Sequence, residues 1–184
     1  CIDIAVKEVS FERLCYLILN QGVLYLNTSQ YNESIVLNLK LLEESKKRNN
    51  AILEFCVLAN LTLSSLMQKD FKLGFKYLEM IDQKYKNEDS DLVLYQIMLY
   101  FFSKDFISAK KVIRKALSND NISKYYQNFF HGIKYLMDNK FIKAIELVEK
   151  CYTLALKDGE VDRAMLDLKF LDVLYSKYEL QDKL

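Results

Sequence analysis

The chain has 184 residues, of which 51% are hydrophobic and 28% charged, with a net charge of +1. That balance excludes a disordered tail, and the interspersed signs leave no broad basic footprint for a phosphate backbone. With no proline and 4 glycines, a turn-rich β fold of this length is excluded, and long helices joined by short polar turns are expected.

Residues 2 to 8 read as the end of a helix that begins upstream. Helices are then expected at 9–27, 30–47, 50–68, 70–86, 90–103, 105–118, 122–138, 140–157 and 160–176, with a truncated one from 178. Turn signals separate several of them: KKRNN at 46 to 50, KNEDSD at 86 to 91, SNDN at 118 to 121 and KDGE at 157 to 160. Within the last, Gly159 suits a helix C-terminal cap. Apolar residues recur at helical spacing, as in Leu92, Leu94, Ile97 and Met98, and again in Ile142, Ile145, Leu147 and Val148. The longest apolar stretch, 92–102, falls short of the ~20 residues needed to cross a bilayer, so a soluble protein is expected. Cys1, Cys15, Cys56 and Cys151 are too scattered for a zinc site or a redox pair and predict ordinary thiols in a reducing cytoplasm. The missing initiator methionine predicts a fragment or a processed product.

A short phrase recurs along the chain: SQYNES at 29 to 34, KDFKLG at 69 to 74, KDFISA at 104 to 109, NKFIKA at 139 to 144 and, more weakly, SKYELQ at 176 to 181. Its aromatics are Tyr31, Phe71, Phe106, Phe141 and Tyr178, at intervals of 40, 35, 35 and 37 residues. Small and aromatic residues keep their places around it. Gly22, Tyr25 and Ser34 form one set; Tyr100, Ala109 and Ala116 another; Gly132, Tyr135, Ala144 and Cys151 a third. The second copy diverges, with Ser65 in the aromatic place, then Gly74 and Ile81. Close crossing of two helices requires a small side chain at the contact, which accounts for Gly22, Gly132, Ala109 and Ala144.

This pattern resembles the tetratricopeptide repeat, whose period is about 34 residues, although the consensus tryptophan and final proline are missing. The resemblance implies an all-α, right-handed superhelix of antiparallel helix pairs, four repeats plus a partial fifth, forming one domain over 1–184. The segment from Asn139 onward, NKFIKAIELVEKCYTLALKDGEVDRAMLDLKFLDVLYSKYEL, is similar to the C-terminal repeat region of Gram-positive peptide-pheromone regulators. That likeness implies a cytoplasmic transcription regulator of the quorum-sensing kind, whose repeats bind a short signalling peptide. The DNA-binding helix-turn-helix would then lie upstream, outside this fragment. A constitutive protein-binding scaffold, or a repeat protein that docks a response regulator, are the alternatives.

In such a stack the first helix of each pair lines the concave surface. The repeat places Tyr16, Leu19, Val23, Leu26 and Asn27 there, then Cys56, Ala59, Leu63, Leu66 and Met67. Leu94, Met98, Phe101 and Phe102 follow, and last Tyr126, Phe129, Ile133, Leu136 and Met137. The expected peptide contacts are Asn20, Val23, Asn27, Asn60, Leu63, Met67, Met98, Phe102, Tyr126, Phe129, Ile133 and Met137. Asn20 and Asn60 share one repeat position, where a carboxamide pairs either with a peptide backbone or with a neighbouring helix. Basic residues are nearly absent from this groove, which disfavours a clamp for a C-terminal carboxylate.

No catalytic, cofactor or metal motif is present. His131, the one histidine, falls where a packing residue is expected. The apolar residues Leu166, Phe170, Leu171, Leu174 and Tyr175 are expected to leave an exposed end that a cap or a second subunit would cover.

Overall fold

The computed structural model describes residues 11–85 and 90–177. Among these residues there are nine α-helices and no strand: α1 (Phe11–Asn27), α2 (Tyr31–Lys47), α3 (Ala51–Met67), α4 (Phe71–Tyr85), α5 (Ser90–Phe102), α6 (Phe106–Leu117), α7 (Lys124–Met137), α8 (Phe141–Lys157) and α9 (Val161–Lys177). Each lies where the apolar spacing predicts a helix, with ends displaced by two residues or fewer. The expected helices at 2–8 and from 178 fall outside the described residues.

Six of the connections are three-residue reversals built alike. The middle residue of each is left-handed: Ser29, Asn49, Lys69, Lys104, Asn139 and Gly159 all have φ between 52° and 75°. In five of them the residue after it donates its N–H to a carbonyl five positions back, as from Gln30 to Tyr25 at 2.8 Å and from Glu160 to Ala155 at 2.8 Å. These bonds satisfy carbonyls that a helix end leaves unpaired. Gly159 was legible as such a cap, and asparagine, as at Asn49 and Asn139, also tolerates this conformation, whereas Ser29, Lys69 and Lys104 adopt it at a cost of about 1–2 kcal/mol and give no compositional sign of it. At Asn50, Asp70 and Asp105 the last turn residue then caps the next helix, its side-chain oxygen accepting an N–H at 3.0 Å in each case.

The chain divides into two compact units, 1–102 and 103–184. The division falls inside the third helix pair of the repeat pattern. Within each unit successive helices run antiparallel, since contacting residues mirror one another about the turn between them. In the first unit Gly22 meets Ser34, Ser34 meets Ser64, Glu54 meets Lys84 and Phe75 meets Tyr100. In the second, Lys110 meets Asp138, Tyr125 meets Cys151 and Glu149 meets Tyr175. Packing also skips one helix: α3 touches α1 and α5 as well as its chain neighbours α2 and α4.

The small residues of the repeat lie at these crossings. Ser34, Ala109, Ala144 and Cys151 are all buried. Ser34 joins three helices: its hydroxyl donates to the Gly22 carbonyl at 3.0 Å and lies 3.1 Å from the Ser64 hydroxyl. Asn38 fills the space beside Gly22 and donates to the Ser34 carbonyl at 2.8 Å. Two of the three interior glycines, Gly22 and Gly132, therefore differ in what they tolerate. A methyl on Gly22 would sit 2.8 Å from the Asn38 amide nitrogen, whereas one on Gly132 would meet Val148 at 3.4 Å, an ordinary contact. Glycine inside a helix costs about 1 kcal/mol relative to alanine. Gly132→Ala is expected to leave stability unchanged or raise it by up to ~1 kcal/mol, while Gly22→Ala lowers it by about 1–2 kcal/mol through the displaced amide. Urea unfolding of the two variants checks this; equal losses would show that the Asn38 contact does not matter.

Candidate functional site

In the first unit, α1 buries Cys15, Leu19, Gly22 and Leu26, residues that recur on one side of a helix. Gly22 and Tyr25 lie along the edge that faces α2: the Gly22 carbonyl accepts from Ser34, and Tyr25 lines a groove with α2 residues. Helix α3 also packs on α1, and the edge of α1 opposite Tyr25 carries Tyr16, Asn20, Val23 and Asn27. Tyr16 and Asn20 are exposed, and Val23 and Asn27 half-buried.

Helix α3 is enclosed nearly all round. Ser64 faces α2 and Glu54 faces α4, where its carboxylate accepts from the Lys84 ammonium at 2.5 Å. Leu53, Val57, Leu58, Leu61, Thr62, Ser65 and Leu66 are buried as well. What remains partly open past the first turn is Phe55, whose ring lies 5.6 Å from that of Tyr85, and a strip of Cys56, Ala59, Asn60, Leu63 and Met67, all half-buried. Four of the five positions that the repeat assigns to the groove on this helix are in that strip, with Asn60 beside them, and Leu66 is the one that is not. Helix α1 thus leaves Asn20 exposed and Val23 and Asn27 half-buried, and α3 leaves Asn60, Leu63 and Met67 half-buried.

Among the described residues, the carboxamides of Asn20 and Asn60 make no hydrogen bond. The Asn60 carbonyl is occupied by the Ser64 hydroxyl at 2.7 Å, but its side-chain amide is unengaged. The helix-to-helix bond that sequence alone left as an alternative for these two residues is thus not formed. A half-buried amide with both donor and acceptor spare is suited to an extended backbone, whose N–H and C=O groups repeat regardless of sequence.

The remaining expected contacts lie elsewhere. Met98 on α5 is buried, and Phe102 is half-buried with its ring 5.3 Å from that of Phe101. In the second unit, Tyr126, Phe129 and Ile133 are buried, and Met137 is half-buried. The cause is α9, which packs over that face of α7: the Phe170 ring lies 5.5 Å from Phe129, and the Arg163 guanidinium lies 5.3 Å from the ring centre of Tyr126. These residues are core here and offer a guest little surface. The open side of α7 is instead polar, with Gln127, His131 and Lys134. His131 is exposed rather than packed inside, because Phe130, Gly132 and Ile133 around it take the inward directions. The apolar end expected near the C-terminus is also consumed: Phe170, Leu171, Leu174 and Tyr175 are buried and Leu166 half-buried.

Among the described residues no group of His, Cys, Asp or Glu could hold a metal ion, and no helix is long and apolar enough to cross a membrane. Cys15 and Cys151 are buried free thiols and Cys56 a half-buried one; Cys1 lies outside the described residues. No family model matches the chain, and neither a curated protein nor a solved structure is significantly similar to it.

The second unit holds one buried acid that sequence reading passed over. Asp167 on α9 has no exposed surface and accepts from the Tyr125 hydroxyl at 2.9 Å, while its second carboxylate oxygen has no partner. It was legible in principle, as a lone acid on the helix face of Ala164, Leu171 and Leu174. Burial pushes its pKa up to about 7, with the Tyr125 hydrogen bond and the Arg163 charge pulling less strongly the other way. Burial also raises the Tyr125 hydroxyl and the Cys151 thiol, so neither is poised to ionise. The fold favours neutral Asp167, whereas the unfolded chain ionises it near pH 4. Stability from this group is therefore full below about pH 4, falls between about pH 4 and 7, and is level above. The loss is on the order of 2–4 kcal/mol. Asp167→Asn should raise stability at pH 8 and flatten the slope between pH 5 and 8, as measured by urea unfolding at each pH. An unchanged slope would show that the carboxylate is solvated.

Proposed function

We propose that the chain is a tetratricopeptide-like stack of helix pairs that binds a short peptide, and that it serves as the regulatory part of a cytoplasmic transcription regulator. The observation that supports this reading most directly is the strip on α3. Past its first turn this helix leaves half-open four of the five residues that the repeat assigns to a concave surface, together with Asn60 and Phe55. Contacts between α1, α3 and α5, the first helices of three successive pairs, are those a right-handed superhelix of such repeats requires.

The surface is apolar with spare amides, so its natural guest is an extended peptide with apolar side chains rather than an acidic tail. Leu63, Met67 and Val23 supply adaptable contact area, and Asn20 and Asn60 hold the peptide backbone. As a regulator, the chain would respond because a peptide bound across neighbouring pairs favours one of their relative arrangements.

A ligand that binds only the folded state must raise its melting temperature. The small-peptide fraction from the medium of the native host is expected to do so, and Asn60→Ala to weaken the purified peptide by about 1–3 kcal/mol in calorimetry. Retention of a large folded partner, with no effect from any short peptide, would replace this reading by that of a constitutive scaffold.

A further inference from the structure

The face of α1 and α2 turned away from α3 takes no part in the surface described above. On α2 the buried side carries Ser34, Asn38, Leu41, Leu42 and Ser45. Opposite them Val36 is 54% exposed. Beside Val36, residues Asn32, Glu33, Leu37 and Lys40 join Tyr25 of α1 around an open groove of about 390 Å3. Leu17 and Leu24, both more than half exposed, continue the same apolar face along α1.

Its charges are arranged in a particular way. Glu33 and Lys40 are seven residues apart, two helical turns or about 10 Å along the axis, with Val36 and Leu37 midway between them. Neither makes an ion pair among the described residues. Such a face is opposite in charge about its own midpoint. A two-fold axis between Val36 and Leu37 reverses the helix, setting each Val36 against the other copy's Leu37 and each Glu33 against the other copy's Lys40. The face is thus its own complement in charge, as an isologous contact requires.

We propose that this face joins two copies of the chain, with α2 antiparallel to its counterpart. Two 17-residue helices offer a face about 25 Å by 20 Å, or roughly 500 Å2 per copy. That is at the low end for specific interfaces, so the dimer is weak, with a dissociation constant on the order of 10–100 µM.

Sedimentation equilibrium of the full chain from about 1 to 300 µM is expected to show reversible dimers. Glu33→Lys and Lys40→Glu each place like charges opposite one another and should weaken the dimer about tenfold or more. An equimolar mixture of the two variants should restore it, because the all-basic face of one then meets the all-acidic face of the other. Unfolding curves of each variant establish that the helices are intact, since Glu33 also lies in the favourable first turn of α2. A chain that stays monomeric throughout, single variants that dimerise normally, or a mixture that fails to recover would each overturn the proposal.

Discussion

A three-residue reversal leaves a helix almost no choice of neighbour, and this constraint governs the rest of the molecule. In each such turn one left-handed residue redirects the chain, and in five of the six the amide that follows closes on a carbonyl of the helix just ended. The cost of about 1–2 kcal/mol for a side chain in that conformation is offset by hydrogen bonds that would otherwise be unmade in a partly buried place. Within each unit the helices so joined pack side by side, their crossing shallow enough for a short turn to span. Small buried residues such as Ser34, Ala144 and Cys151 follow from that geometry.

Within the first unit the same constraint produces an exposed surface. Because α2 and α4 flank α3, while α1 and α5 also touch it, little of α3 past its first turn reaches solvent. Along the α1, α2 and α3 crossing Ser34 and Ser64 serve the carbonyls of Gly22 and Asn60, while the buried side-chain oxygen of Asn38 has no partner. Asn20 and Asn60 stand apart from that network. An amide left idle at the border of a buried helix is an unusual expense in a core and an ordinary feature of a binding surface.

The second unit carries the same repeat signature and puts it to a different use. Helix α9 lies over the face of α7 that corresponds to the open strip of α3, so Tyr126, Phe129 and Ile133 are enclosed. Arg163 over two tyrosine rings, and a buried acid bonded to one of them, tie α9 to α7. Repeat position specifies which way a side chain points from its own helix. It does not specify whether another helix comes to cover it.

Helix positions, turn lengths and the small residues at crossings were legible in the amino-acid sequence, because they depend on 3.6-residue periodicity, caps and side-chain size, all local properties. The left-handed residues at Lys69 and Lys104 were not, since lysine there is tolerated for the sake of turn closure rather than selected for its own preference. The exposure of His131 and the burial of Asp167 depended on neighbours distant in the chain. So did the division of the apolar residues into surface and core: Leu63 and Phe129 look alike in sequence, being apolar at the inner side of a first helix. Only the tertiary structure decided that one is left open and the other covered, because burial is settled by the helix that packs next, and no local pattern encodes where that helix lies.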